Sequence, residues 1–300
     1  KLGCIIPVAA VKLSLLTTQY RLRESALKSM IDLLMTQPHW LVVSGAGVSA
    51  ASGVPTYRNR RGQWQRKPPV THQEFVASAD SRCRFWARNM IGWRFISEAQ
   101  PNAAHRALVQ LEARGAINAL ITQNVDRLHQ RAGSREVVDL HGRVDRVSCL
   151  NCGAGQSRAS LQDWLEQHNP KFSELGGRIA PDGDADIDDL DYADLAVPDC
   201  RYCGGLLKPD AVFFGASIPA QRVALCEQLL ERAPGLLVIG SSLQTYSGYR
   251  LCLSAERQQK PIALLCDGIT RADQIATLKV QADCLPVLQG WLERLVERVD

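Results

Sequence analysis

Apolar residues along this chain fall into two alternating rhythms. Short unbroken runs of aliphatic and β-branched residues predict buried strands at Leu41–Val43, Asn118–Thr122, Val137–Leu140, Ala211–Phe214, Leu236–Ile239 and Pro261–Cys266. Stretches with apolar residues three and four apart predict helices at Glu24–Met35, Phe75–Glu98, Asn102–Arg114, Ala220–Arg232, Arg250–Gln259 and Leu288–Val299. In the first of these, Leu27, Met30, Ile31 and Leu34 share one face, and Pro38 ends the helix. Strand and helix alternate at both ends of the chain. That pattern predicts an α/β fold, a doubly wound and mostly parallel Rossmann-like sheet.

The middle of the chain breaks the rhythm and predicts a smaller inserted domain. Val54–Thr71 carries Pro55, Gly62, Pro68 and Pro69 and reads as a long binding loop. Phe75–Glu98 is rich in aromatics (Phe75, Phe85, Trp86, Trp93, Phe95), which pack a helical module, with one or two lining a channel for an apolar substrate as the sharper alternative. The expected division is therefore 24–54, 103–142 and 208–300 for the large domain, 55–102 for a loop and helical module, 143–207 for a cysteine-bearing module, and 1–23 as an N-terminal extension.

Composition narrows the class. The chain has 300 residues, 46% of them hydrophobic, which suits a large buried core. No apolar run approaches the ~20 residues of a membrane-spanning helix. A net charge of +4 is too small to argue for nucleic acid. Of the ten cysteines, six (Cys4, Cys83, Cys226, Cys252, Cys266 and Cys284) are scattered, several in apolar runs that suit buried free thiols. That usage implies a reducing compartment and a metal site rather than a disulfide framework.

Candidate chemistry sits where predicted strands end. After Leu41–Val43 come Gly45, Gly47 and Ala50, in the strand–G-x-G-x-x-A–helix order that lets backbone N–H groups approach a pyrophosphate. A tight turn with no ligand is the plain alternative. A dehydrogenase would carry an acid roughly 20 residues further on. None occurs between Gly45 and Gln73; Arg58, Arg60, Arg61, Arg66 and Lys67 occupy that stretch instead. Gln123, Asn124 and Asp126 follow the second strand, and His141 follows the third, in the positions where open α/β sheets bind ligands. Taken alone, a structural role for His141 fits as well as a catalytic one. Gly240, Ser241 and Ser242 form a second small turn, and Asp267 and Gly268 end the last strand.

Cys149/Cys152 and Cys200/Cys203 are two C-x-x-C pairs. Four thiolates close a tetrahedral shell, so the expected ion is one structural Zn(2+). A redox dithiol is the alternative. The intervening chain must loop out, and the excursion from Gly176 to Pro198, with seven aspartates, reads as a solvated acidic face.

Together, GAGVSAASGVPTYR at 45–58, TQNVDRLH at 122–129, DLHG at 139–142, the paired C-x-x-C and GSSL at 240–243 resemble the sirtuins. FWARNMIGW at 85–93, HQRAGS at 129–134, APDGDADI at 180–187, LKPDAVFFG at 207–215 and SLQTYSGYR at 242–250 are similar to the class II branch. The resemblance implies an NAD-dependent protein lysine deacylase, with mono-ADP-ribosyl transfer from the same cleft as the alternative. Deacylation would release nicotinamide and O-acyl-ADP-ribose.

The resemblance also implies roles. Gly45, Ala46 and Gly47 would hold the NAD pyrophosphate, and Arg58 would orient its nicotinamide side. Asn124 and Asp126 would line the nicotinamide pocket and act with His141, the general base, whose imidazole is expected near its ordinary pKa. Gly240, Ser241 and Ser242 would meet the adenosine half. Ser49, Tyr57, Gln123, Cys266, Asp267, Gly268 and Cys284 would complete the cofactor site. Cys149, Cys152, Cys200 and Cys203 would hold zinc. Three positions depart from the family pattern: Ala51 for Glu, Thr56 for Asp and Cys266 for Asn. The Tyr-x-x-Arg pair that serves acidic acyl groups is absent from 85–93, so neutral acyl groups are expected. Partners would be acyl-lysine proteins or peptides, with no nucleic acid or membrane and a monomer favoured. The expected compartment is a bacterial cytoplasm, with a mitochondrial matrix as the alternative.

Overall fold

A computed structural model describes residues 24–65, 69–173, 178–179, 181–186, 191–192 and 194–298. A helix over 24–34 (α1) leads into β1 (Trp40–Ser44), the short α2 (Ala46–Ser49), α3 (His72–Ala77), α4 (Ala79–Glu98) and α5 (Ala103–Ala113). Then come β2 (Ile117–Thr122), α6 (Leu128–Ala132), β3 (Val137–Asp139), β4 (Gly142–Cys149), β5 (Gly155–Ser157), α7 (Arg158–His168) and α8 (Pro170–Ser173). The chain continues through β6 (Arg178–Ile179), β7 (Ala185–Asp186), β8 (Leu207–Ala211), α9 (Ala220–Arg232), β9 (Leu236–Ile239) and α10 (Tyr246–Arg257). It closes with β10 (Ile262–Leu265), β11 (Leu278–Val280) and α11 (Cys284–Val296).

Six strands form the main sheet in the order β11-β10-β9-β1-β2-β3, and every neighbouring pair is parallel. The strand period of two decides which side chains meet which helices. Trp40 and Val42 of β1, with Leu237 and Ile239 of β9, pack under α1, α5 and α11. Leu41 and Val43, with Leu236 and Val238, face α9 and α10 on the other side. Both faces are thus covered, as an all-parallel sheet requires.

The second core joins the loop-and-helix segment to the cysteine-bearing segment. Phe75, Phe85, Trp86 and Met90 pack with Val147, Leu161, Leu165 and Leu207. Arg158 is fully buried there, between the rings of Trp86 and Trp93, and donates from Nε to Asn89 Oδ1 at 2.9 Å.

Several boundaries differ from the sequence reading. Phe75–Glu98 is two helices, broken at Ser78, whose extended backbone ends α3 and whose hydroxyl caps α4 by accepting from the Ser81 amide. The predicted strand Ala211–Phe214 is displaced: the strand is Leu207–Ala211, and it pairs antiparallel with β4 outside the main sheet. α10 begins earlier than expected, and so does α11, whose Pro286 lies in the first turn where no intrahelical donor is needed. β4 escapes the sequence reading because Val144 and Val147 are three apart, with Asp145 and Arg146 between them, and its register with β8 shifts between Gly142 and Val147.

The acidic excursion is the largest correction. Where it is described, Asp184 and Ala185 are buried against α4 rather than solvated. Arg88 takes the Asp184 carboxylate in two bonds of 2.8 Å, and Asn89 Nδ2 donates to the Gly183 carbonyl at 2.9 Å. Gly92 allows this approach, because a Cβ there would collide with the Gly183 carbonyl oxygen. Asp188 and Asp189 lie outside the described residues.

Candidate active site and cysteine centre

The C-terminal ends of β1, β2, β9 and β10 open onto one cavity of about 970 Å³. Its position, outside the carboxyl ends of parallel strands, is the one this sheet topology favours for ligands. The two small turns meet there. A Cβ on Gly45 would lie 2.7 Å from Ser241 Cβ, and one on Gly47 would lie 2.8 Å from Gly240 Cα. Gly240 itself has φ +58°, and its own Cβ would lie 2.6 Å from the Val48 amide nitrogen. The glycines are therefore required first for turn-on-turn packing. Gly45, Ala46, Gly47, Gly240, Ser241 and Ser242 all line the cavity, and no side chain caps the start of α2 beside it. The Gly45 and Gly47 amides donate to the Ile239 and Gly240 carbonyls at 3.0 and 2.8 Å, so these two N–H groups tie the turns together.

Asn124, Asp126, Gln123 and His141 line the same cavity. Ser49 stands behind them, fully buried. Its hydroxyl donates to Asp126 Oδ2 at 2.7 Å and accepts from Asn124 Nδ2 at 3.0 Å. Asp126 Oδ1 takes the Leu128 amide at 2.9 Å, yet burial still raises the carboxyl pKa above its ordinary value. His141 has both ring nitrogens engaged: Nδ1 with the Gln123 carbonyl at 3.0 Å and Nε2 with Ser247 Oγ at 2.7 Å. Burial lowers its pKa to about 4, so it is neutral at pH 7 and not near the ordinary value expected from the sequence.

The long loop covers the other side. Tyr57, Trp64 and Phe214 meet edge-on, with ring centroids 5.6 to 6.1 Å apart. Arg58 lies 4.1 Å over the Trp64 ring and donates to the Gly62 carbonyl at 2.7 Å. Arg60 pairs with Asp267, and its carbonyl accepts from the Ile269 amide, so the loop is tied to the end of β10. Asp267, Gly268, Cys266 and Cys284 all line the cavity. Burial pushes the two thiols up, Cys266 to about 11 and Cys284 to about 12, which leaves them protonated. Tyr57 is hydrogen-bonded to Asp182, and burial raises the pKa of both.

The four paired cysteines gather beside β4 and β8, with all four sulfurs within 4.8 Å of one another. Cys149 Sγ and Cys203 Sγ are 3.5 Å apart, and Cys152 Sγ and Cys200 Sγ are 3.7 Å apart. A tetrahedral ion with Zn–S bonds of about 2.3 Å places its sulfurs ~3.8 Å apart, so the set fits zinc. The Asn151 amide points at Cys149 Sγ at 3.4 Å. A Cβ on Gly205 would sit 2.8 Å from Cys149 Sγ, so the turn closes tightly over the thiols.

A family model described as "Sir2 family" matches residues 45–247, from the first glycine turn to the serine on His141. The chain belongs to the Sir2 family. Among curated sirtuins, a protein named NAD-dependent protein deacetylase from Bordetella bronchiseptica is 48% identical over 266 residues, 89% of this chain and 97% of that protein. NAD-dependent protein deacetylase 2 from Bradyrhizobium diazoefficiens is 47% identical over 257 residues, 86% of this chain and 94% of that protein. A solved structure described as "Sir2-p53 peptide-NAD+" superposes with a TM-score of 0.69 at 30% identity, covering 91% of this chain and 99% of that one. One described as Sir2Tm bound to a propionylated peptide gives 0.69 at 31% identity, covering 91% and 98%.

Sequence reasoning missed several cavity residues of this sirtuin. Ser247 was inside a quoted motif, but nothing in the sequence showed that the first turn of α10 faces His141. Asp182 and Asp184 were read as solvated, and Phe213 and Phe214 as strand residues, because their partners lie far away in the chain.

Proposed function

We propose that the protein is an NAD-dependent protein lysine deacylase. The observation that carries this reading is a neutral His141 whose Nε2 can accept a proton, on the same cavity as the two packed glycine turns and the Asn124–Ser49–Asp126 cluster. Gly45, Ala46 and Gly47 would hold the pyrophosphate through backbone groups. Gly240, Ser241, Ser242, Cys266, Asp267, Gly268 and Cys284 would contact the adenosine half. Gln123, Asn124 and Asp126 would hold the nicotinamide side, with Tyr57 and Arg58 closing over it from the loop. Bound NAD supplies a ribose carbon that accepts the acyl oxygen of a modified lysine when nicotinamide leaves. His141 Nε2 would take a proton from a ribose hydroxyl. Cys149, Cys152, Cys200 and Cys203 would hold one zinc whose closed shell leaves it a structural role.

The acyl-lysine would be a protein or peptide side chain with a neutral acyl group. Arg88, the nearest analogue of an anion-binding residue in 85–93, is committed to Asp184. The test is nicotinamide release with NAD and acetyl, butyryl, octanoyl, lipoyl, succinyl and glutaryl peptides, with the products followed by mass spectrometry. Acyl-dependent release with O-acyl-ADP-ribose is expected, and preference for neutral chains. ADP-ribose attached to a protein, with no acyl-dependent release, would overturn the deacylase reading.

A further inference from the structure

One hydroxyl on the cavity wall meets the base directly. Ser247 occupies the first turn of α10 and lines the cavity, with its Oγ 2.7 Å from His141 Nε2. The other ring nitrogen fixes the direction of that bond. The partner of Nδ1 is the Gln123 carbonyl, which only accepts, so Nδ1 carries the proton. In the neutral imidazole Nε2 is then the acceptor, and the Ser247 hydroxyl must donate to it.

The neighbouring residues build this contact. Gln123 gives its carbonyl to Nδ1, while its side chain accepts from Thr245 Oγ1 at 3.2 Å and donates to Ser241 Oγ at 2.7 Å. Gly248 makes room, since a Cβ there would lie 2.7 Å from Gln123 Oε1. One residue thus ties down both the imidazole and the start of the helix that carries Ser247.

We propose that Ser247 is a proton relay for His141, a cavity hydroxyl that holds the ring still in both of its protonation states and passes the sugar proton to it. Towards the neutral ring it is a donor. When the base acts, the Ser247 O–H passes its proton to Nε2 while Ser247 Oγ takes the proton of the sugar hydroxyl, so the sugar O–H bond breaks, an N–H bond forms at Nε2 and the serine hydroxyl is restored. The hydroxyl then accepts from that new N–H. A side chain able only to donate or only to accept could serve one state but not the other. The ring needs no reorganisation during the transfer, which is where a preorganised partner contributes to rate. This inference rests on the deacylase reading, because it takes a sugar hydroxyl as the proton source.

The experiment pairs kinetics with histidine nitrogen NMR on Ser247→Ala and Ser247→Thr. In turnover, Ser247→Ala should lower kcat about tenfold and leave the KM for NAD within about twofold, while Ser247→Thr should recover most of kcat. In the NMR arm, His141, assigned by the resonance lost in His141→Gln, should be in the Nδ1–H form at pH 7. Its Nε2 resonance should move in Ser247→Ala to the position of an acceptor without a donor, and return in Ser247→Thr. An unmoved Nε2 resonance, a proton found on Nε2, or kcat unchanged in Ser247→Ala would overturn the proposal. Absence of acyl-dependent turnover in the parent would count against the deacylase reading instead, and the NMR arm would still decide the Ser247–His141 bond.

Discussion

Arg88 holds the Asp184 carboxylate through two bonds of 2.8 Å, joining α4 to the 181–186 segment that walls the cavity. The Asp184 side chain is only 10% exposed, and burial beside Asp182 raises its pKa to about 6 even with Arg88 present. Arg88→Leu would leave that carboxyl without its cation, a change that typically costs about 3–5 kcal/mol when the charge stays buried. The loss should depend on pH. The folded pKa lies above the unfolded one, so the native state binds the extra proton and stability falls as pH rises through the folded value. Urea unfolding should show a larger loss at pH 8 than at pH 6. Equal losses at both would mean that the ion pair does not set the stability of this wall.

Ser49→Ala removes the group that orders two cavity residues without touching the cavity itself. It takes away the donor to Asp126 Oδ2 and the acceptor of Asn124 Nδ2. Stranding two buried polar partners costs about 1–3 kcal/mol each at most. Misplacing them should cost more in rate, on the order of 10²-fold. The expected outcome is folded protein with kcat/KM for nicotinamide release down by about one to two orders of magnitude. A variant with normal turnover would show that Asn124 and Asp126 do not need their buried tether.

How far the sequence reached depended on whether a residue's partner was near in the chain. β1 was legible because every one of its residues is apolar or small and a parallel strand is buried on both faces. The glycine turns, the strand-end residues Asn124, Asp126 and His141, and the C-x-x-C pairs were legible because local spacing carries their geometry. Asp184 was misread because a run of acids announces solvation until Arg88, 96 positions away, supplies the charge. The His141 pKa was misread for a related reason: burial under α10 and the loop is a tertiary fact. Ser247 could not be singled out, since its partner lies 106 positions earlier.

His105 and His129 add a pH dependence to stability. Their rings are 4.7 Å apart in the core, and burial lowers the pKa of His105 to about 4 and that of His129 well below its ordinary value. The unfolded chain protonates both near 6.5, while the native state does not. Unfolded protein therefore binds more protons, and stability is lost as pH falls from 6.5 towards 4. His105→Gln preserves an acceptor for the Asn102 amide that His105 Nδ1 now takes at 3.3 Å. It should flatten the slope by up to about 1.4 kcal/mol per pH unit in that window. Asp126, Asp139, Asp182 and Asp184, whose raised values act in the opposite sense, are present in both proteins and cancel in the comparison. Denaturant midpoints at pH 6.5, 5.5 and 4.5 measure the difference, and parallel curves would remove His105 from the acid response.

The cysteine centre should fail before the main sheet does. Metal analysis of freshly purified protein is expected to give one zinc per chain, and Cys200→Ser to lose it. β4, β5 and β8 flank the cysteine pairs, and β4 and β8 share a core with Phe75, Phe85 and Trp86, whereas the parallel sheet packs on its own two faces. Chelation should therefore expose amides of 143–172 and 194–211 to hydrogen exchange while β1, β2, β9 and β10 stay protected. Catalysis should fall with it, because Ala211, the last residue of β8, and Phe213 and Phe214 just after it line the cavity. Well under one zinc per chain, with full protection of β4 and β8, would mean that the four thiols hold their geometry without a metal.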